Sequence, residues 1–132
     1  MTSQGNNRLA AVAPGEPVPE TRGKVLVVED VALIRMTTVD MVEQLGFEAA
    51  EAGDAREALA LLGRDAAITI LLTDLGLPGM SGRELVVEAL KLKPGLKVII
   101  ASGYSNPADL PAGVVNLVKP FDQQQLRKVL ES

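Results

Sequence analysis

From Lys24 onward, short apolar runs alternate with longer stretches in which apolar positions recur every three or four residues. Runs such as Val25-Leu26-Val27-Val28 and Ile68-Thr69-Ile70-Leu71-Leu72-Thr73 are near-continuous and rich in branched aliphatics, the pattern of strands covered on both faces. The pattern predicts strands over 24–28, 47–51, 68–73, 96–101 and 114–118, and helices over 31–45, 54–63, 82–92 and 122–131. Local signals mark the helix ends. Gly46 follows the first helix, Asp54 is placed to cap the second, and Lys93-Pro94-Gly95 stops the third. Asp122 is placed to cap the last, with Gln125 three residues on approximating a capping box. On the first helix, Ile34, Met41, Val42 and Leu45 form the expected core stripe, which leaves Leu33 and Met36 facing solvent, where they are available to dock a partner's helix.

Strands and helices alternating through short loops imply right-handed crossovers and an α/β fold with a doubly wound parallel sheet. Two segments lie outside the pattern. Residues 1–22 carry Gly5, Pro14, Gly15, Pro17 and Pro19 among small and polar residues without any period, and are expected to be a flexible tail preceding one domain over 23–132. Between the fourth and fifth strands, Gly103 to Gly113 has no apolar period and contains Pro111, so at most one turn of helix is expected there.

Length and composition narrow the classes of function. A chain of 132 residues, 47% apolar, suffices for one core. The net charge is −4, and residues 1–23 contribute none of it, because Arg8 and Arg22 balance Glu16 and Glu20. No basic stripe is available for a phosphate backbone, so no direct nucleic-acid binding is expected. The chain has no Cys and no His, which excludes disulfides, thiolate chemistry and the usual zinc ligands. No apolar stretch approaches the roughly 20 residues that span a bilayer, and the N-terminus lacks the basic and apolar regions of a secretory signal. The expected location is therefore cytoplasmic, with no membrane partner.

The chemistry that remains belongs to carboxylates, hydroxyls and amines. In doubly wound sheets ligands sit beyond the carboxyl ends of the strands, and that is where Glu29, Asp30 and Asp74 lie. Carboxylates forced together repel by a few kcal/mol per close pair at an effective dielectric near 20, and a divalent cation reverses the sign. An all-oxygen ligand set selects a hard ion, with Mg²⁺ the default. Ser102 ends the fourth strand and Lys119 the fifth; a cis bond between Lys119 and Pro120 would aim the ammonium into the cleft. A carboxylate nucleophile, a cation, a hydroxyl donor and a lysine are the parts needed to accept a phosphoryl group onto Asp.

Glu29-Asp30, the run from Asp74 to Gly82 with Leu77-Pro78 inside it, Ser102 and Lys119-Pro120-Phe121 resemble, in order and spacing, the receiver domains of two-component response regulators, over about residues 24–131. The resemblance implies a flavodoxin-like five-stranded sheet of order 2-1-3-4-5. It implies that Asp74 is the phosphoacceptor, that Glu29, Asp30, Asp74 and the backbone carbonyl of Gly76 hold Mg²⁺, that Ser102 bonds the phosphoryl group and that Lys119 pairs with it. Receivers commonly carry an aromatic residue three positions before the lysine as a rotamer switch; here that residue is Asn116. Ala101-Ser102-Gly103-Tyr104 instead looks like the Phe-Ala-Thr-Gly-Tyr subgroup, in which the fourth helix is reduced, making Ser102 and Tyr104 the switch candidates and 103–113 the segment expected to shift on phosphorylation.

Plainer roles stand beside these. Asp74 alone would read as a turn aspartate, Glu29-Asp30 as a cap for the first helix, Gly76, Gly79 and Gly82 as turn glycines, Ser102 as a satisfied strand-end hydroxyl, Lys119 as a solvated surface lysine and Tyr104 as a ring covering the loop. The combination favours a stand-alone receiver, expected to be monomeric, that takes a phosphoryl group from a histidine kinase or histidine phosphotransfer protein and signals to a downstream protein. Its only catalysis would be self-phosphorylation and autodephosphorylation. The alternatives are a receiver excised from a hybrid histidine kinase, an aspartyl-phosphate hydrolase, or a pseudo-receiver that never takes phosphate. A hydrolase would be expected to carry a second Asp two residues after the nucleophile, where this chain has Gly76.

Overall fold

The computed structural model describes residues 22–103 and 110–132. Along them run β1 (Lys24–Val28), α1 (Ala32–Gln44), β2 (Glu48–Ala52), α2 (Ala55–Arg64), β3 (Ile68–Asp74), α3 (Gly82–Leu92), β4 (Lys97–Ser102), β5 (Val115–Val118) and α4 (Gln123–Glu131). The strands form one sheet of five, in the order β2-β1-β3-β4-β5. Every pairing is parallel, with Val28 beside Thr73 and Asp74 beside Ala101. The expected doubly wound topology is therefore observed. Boundaries shift by about one residue, the ordinary uncertainty of helix and strand ends; the shift that matters is at β3, where Asp74 is the last residue of the strand.

The period of two along each strand divides the core. Leu26, Val28, Leu71, Val98 and Ile100 face one side and pack with Ala58 and Leu62 of α2 and Leu85, Val86 and Ala89 of α3. Val25, Val27, Ile70, Leu72, Ile99 and Ala101 face the other and meet Val39 and Val42 of α1 and Leu126 and Leu130 of α4. Both faces are covered, so the central strands are apolar along most of their length, Thr69 and Thr73 of β3 excepted, and each fully buried aliphatic side chain contributes about 1.5–3 kcal/mol of transfer free energy.

Three of the helices are capped by side chains. Asp54 Oδ1 accepts from the Glu57 N–H, and Asp122 with Gln125 forms a complete capping box. Ser81 and Glu84 form another at α3, a Ser-x-x-Glu signature that the sequence reading passed over. Helix α1 is the exception. Its N-cap is Val31, without a side-chain cap, so the expected capping role of Asp30 is not realised; Glu29 Oε2 instead accepts from the Val31 N–H at 3.2 Å.

The core stripe expected on α1 also needs correction. Ile34 is 44% exposed, whereas the buried residues are Thr38, Val39 and Val42, with Met41 and Leu45 only partly buried. Helix α1 starts soon after β1 ends, so its first turn stands level with the strand ends and has no sheet beneath it. One turn later Thr38 is buried because its hydroxyl donates to the Ile34 carbonyl at 2.9 Å, which satisfies the polar group within the helix. Among the described residues no helix lies between β4 and β5. Residues 104–109 of that connection, and the tail expected over 1–22 as far as residue 21, lie outside the described residues.

Candidate functional site

The carboxyl ends of β1 and β3 bring the acidic residues together because the two strands are direct neighbours in the sheet. Glu29, Asp30 and Asp74 each offer a carboxylate oxygen within 4.8 Å of the others. Glu29 is buried, Asp74 half-buried and Asp30 exposed, so the cluster opens to solvent on the Asp30 side. Lys119, at the end of β5, reaches back over the sheet edge. Its Nζ stands 3.3 Å from Asp74 Oδ1 and 3.3 Å from Glu29 Oε1. The Lys119-Pro120 bond is cis, and the Lys119 N–H donates to the Ser102 carbonyl at 2.7 Å. Three carboxylates against one ammonium leave two negative charges in excess, the complement of one divalent cation.

The donor set fits such an ion. The carboxylate oxygens, all within 4.8 Å of one another, would hold one small divalent cation, with water completing its shell. Every donor is a hard oxygen, as that ion requires.

Residues behind the site fix its backbone. The Glu29 N–H donates to the Ala52 carbonyl at 3.1 Å, and Arg35 Nη1 donates to the Glu29 carbonyl at 2.7 Å while its Nε meets Glu51 at 3.2 Å. Arg35 thereby ties the acidic turn to α1 and β2. It was missed in the sequence because nothing local distinguishes it from a solvated helix arginine. Gly82 has a similar hidden role: a Cβ there would overlap the Asp74 carbonyl oxygen, and its N–H donates to the Leu75 carbonyl at 2.9 Å. Any larger residue would push the loop and Asp74 out of position.

Gly76 lies exposed in the loop between β3 and α3, its N–H 3.4 Å from Asp74 Oδ1. Ser102 is 3% exposed, and its Oγ donates to Asn116 Oδ1 at 3.2 Å. Tyr104, the other switch candidate, lies outside the described residues. Beside Lys119, a groove of about 550 Å³ runs between α1 and the turn into α4, lined by Leu33, Ile34, Met41, Pro120 and Phe121. Leu33 and Met36 are 74% and 58% exposed, as the sequence pattern implied.

A parallel sheet of this order with acidic residues at the ends of β1 and β3 and a lysine at the end of β5 defines a class. Residues 25–131 match the response regulator receiver domain, and the chain belongs to that family. It is 31% identical to the chemotaxis protein CheY of Thermotoga maritima, over 81% of this chain and 93% of that protein. It is 34% identical to the sensor kinase CckA of Brucella abortus over 77% of this chain, a match that spans 11% of the kinase. The crystal structure of the chemotaxis protein CheY4 of Vibrio cholerae superposes with a TM-score of 0.74 at 28% identity, covering 83% of this chain and 96% of that one. Receiver domains are phosphoaccepting regulators rather than conventional enzymes.

Proposed function

We propose that Asp74 accepts a phosphoryl group from the phosphohistidine of a histidine kinase or histidine phosphotransfer protein, and that the chain signals through altered contacts with a downstream protein. The transfer breaks the P–N bond to the imidazole and forms a P–O bond to a carboxylate oxygen of Asp74, and the imidazole leaves with a proton taken from its own side. A carboxylate nucleophile has no proton to give up, so no general base is needed. Lys119 serves the phosphoryl oxygens: its Nζ, held between Asp74 and Glu29, is free to trade one carboxylate contact for a phosphoryl oxygen as negative charge builds beside it. Glu29, Asp30, Asp74 and the Gly76 carbonyl would hold Mg²⁺, which when bound neutralises the phosphoryl oxygens and orients them for in-line attack. Ser102 donates to a phosphoryl oxygen.

The observation that carries this reading is the placement of one ammonium 3.3 Å from both Asp74 and Glu29, within a cluster that also contains Asp30. The groove beside Lys119 supports a protein donor. Its apolar lining suits one face of a helix, and Lys119 is part of that lining, so a docked helix would lie next to the site. Gly76 stands where a hydrolase would place a second aspartate, which disfavours the enzyme reading. The proposal includes a cytoplasmic, monomeric, stand-alone receiver over 23–132 that binds neither nucleic acid nor membrane, with any autodephosphorylation left to water at the open side of the cluster. No helix among the described residues is long and apolar enough to cross a membrane.

The test is incubation with acetyl phosphate and Mg²⁺ followed by intact mass. The chain should gain one acid-stable, base-labile phosphoryl group, and Asp74→Asn should gain none.

A further inference from the structure

The groove beside Lys119 lies on a side-chain stripe of α1 that ends where the N-terminal segment joins the fold. Leu33, Thr37 and Met41 line the groove, and Leu45 follows one further turn along, each four residues from the next. Arg22 closes the foot of this stripe. Its Nη1 donates to the Leu45 carbonyl at 3.1 Å, its backbone N–H donates to the Gly46 carbonyl at 3.3 Å, and its Nη2 pairs with Glu131 of α4 at 2.7 Å. The chain therefore enters the fold at the foot of the seam between α1 and α4. From there the stripe rises along the helix from Leu45 to Leu33, a distance of about 18 Å at 1.5 Å per residue.

We propose that the chain's own segment Arg8-Leu9-Ala10-Ala11-Val12-Ala13 closes on this groove, where it competes with a phosphodonor. Chemistry, reach and charge select this occupant. Leu9 to Ala13 is the longest apolar run in residues 1–21, and the groove it would enter is lined by Leu33, Ile34, Met41 and Phe121. Residues 14–21, between that run and Arg22, carry Pro14, Pro17 and Pro19. At about 3.1 Å per residue they reach up to about 25 Å when extended, enough to bring the run to any point of the groove. Arg8 directly precedes the run and is the only Lys or Arg in residues 1–21. It complements the rim of the groove, where Lys119 is outnumbered by the three carboxylates of Glu29, Asp30 and Asp74. A tether this short supplies an effective concentration in the millimolar range, so a contact with a dissociation constant of about 1 mM would close the groove about half the time.

The competition rests on the groove's role in donor docking, and the experiment keeps the two separate. The chain has no Cys, so Asn7→Cys carries a single nitroxide label on the full chain. In ¹H–¹⁵N spectra the amides of Leu33, Thr37 and Met41 should be broadened by the label, and should sharpen again when Leu9→Glu and Val12→Glu are added. With those two substitutions, transfer from a phosphorylated histidine phosphotransfer protein should be about two- to tenfold faster, because the closed fraction is released. Phosphorylation by acetyl phosphate, which needs no docking surface, should stay within about twofold of the wild-type rate. Broadening spread over the whole surface, or unchanged by the two substitutions, overturns the inference. So does equal broadening when labelled ¹⁴N chain is mixed with unlabelled ¹⁵N chain, which would make a second copy the occupant. Groove broadening that the substitutions abolish, with transfer from the phosphotransfer protein unchanged, leaves the contact standing and overturns the docking role of the groove instead.

Discussion

Lys119 Nζ stands 3.3 Å from Asp74 Oδ1 although Asp74 ends β3 and Lys119 follows β5, strands separated by β4. The same nitrogen is 3.3 Å from Glu29 Oε1, so one ammonium partly neutralises two carboxylates that would otherwise repel. Its removal has opposite consequences for the two ligands of the site. Lys119→Met should slow phosphorylation from acetyl phosphate by about 100-fold, the loss typical of one charge-stabilising donor. Mg²⁺ binding should tighten, because the carboxylates lose their internal counter-ion. Phosphorylation kinetics and a Mg²⁺ titration on one variant check both directions.

The groove beside Lys119 separates docking from chemistry. Leu33, which lines it, and Met36, on the same helix, are largely exposed. Replacing both with Glu should leave phosphorylation by acetyl phosphate within about twofold, while transfer from a phosphorylated histidine phosphotransfer protein should fall by at least about tenfold, the loss of one or two apolar anchors. Equal loss with both donors would place the effect in folding or chemistry instead.

Gly82 should tolerate no side chain. Gly82→Ala puts a Cβ against the Asp74 carbonyl oxygen and the Leu75 Cα, backbone atoms that cannot rotate away. Urea unfolding should show a loss of about 1–3 kcal/mol, with reduced phosphorylation from the displaced loop. Gly95→Ala, where a Cβ meets nothing within 4 Å, is the matched control and should change stability by less than about 1 kcal/mol.

A second ion pair, remote from the site, sets a pH signature. Lys24 Nζ lies 2.6 Å from Asp65 Oδ2, tying the start of β1 to the turn before β3. The hydrogen bond from Lys24, then that from the Ala67 N–H, lowers the Asp65 carboxyl below its ordinary 3.8. The hydrogen bond to Asp65 raises Lys24 above its ordinary 10.5. A carboxyl with a lowered folded value binds fewer protons folded than unfolded, so its contribution is complete above 3.8 and is lost as pH falls through the lowered value. The lysine contribution is complete below 10.5 and is lost as pH rises through the raised value. Lys24→Met should therefore destabilise the chain at neutral pH, and the difference in urea midpoint should shrink towards zero in acid, measured by unfolding across that range.

Much of this architecture was legible in the residue pattern. Strands buried on both faces announce themselves as apolar runs, and β1, β3 and β4 are of that kind. The candidate site lies where those runs end, so Glu29, Asp30, Asp74, Ser102 and Lys119 could be named from position alone. What stayed hidden depends on contacts between distant segments. Arg35 reads as a surface residue until the Glu29 carbonyl and Glu51 are brought to it. Thr38 reads as polar and exposed until its hydroxyl is seen to be satisfied within the helix. Asn116 reads as a missing aromatic until β4 and β5 pair and set its carboxamide beside Ser102. Asp30 reads as a helix cap, but the Val31 N–H is taken by Glu29.

The account stands on Asp74 as the phosphorylated atom's new owner. Borohydride reduces an aspartyl phosphate to homoserine, so phosphorylation with acetyl phosphate and Mg²⁺, reduction, and peptide sequencing by mass identify the acceptor directly. Homoserine at position 74 and at no other carboxylate is the predicted result. Aspartate intact at position 74 in a chain that has gained phosphate, or homoserine at Asp30 or Glu29's reduced counterpart in its place, would contradict it.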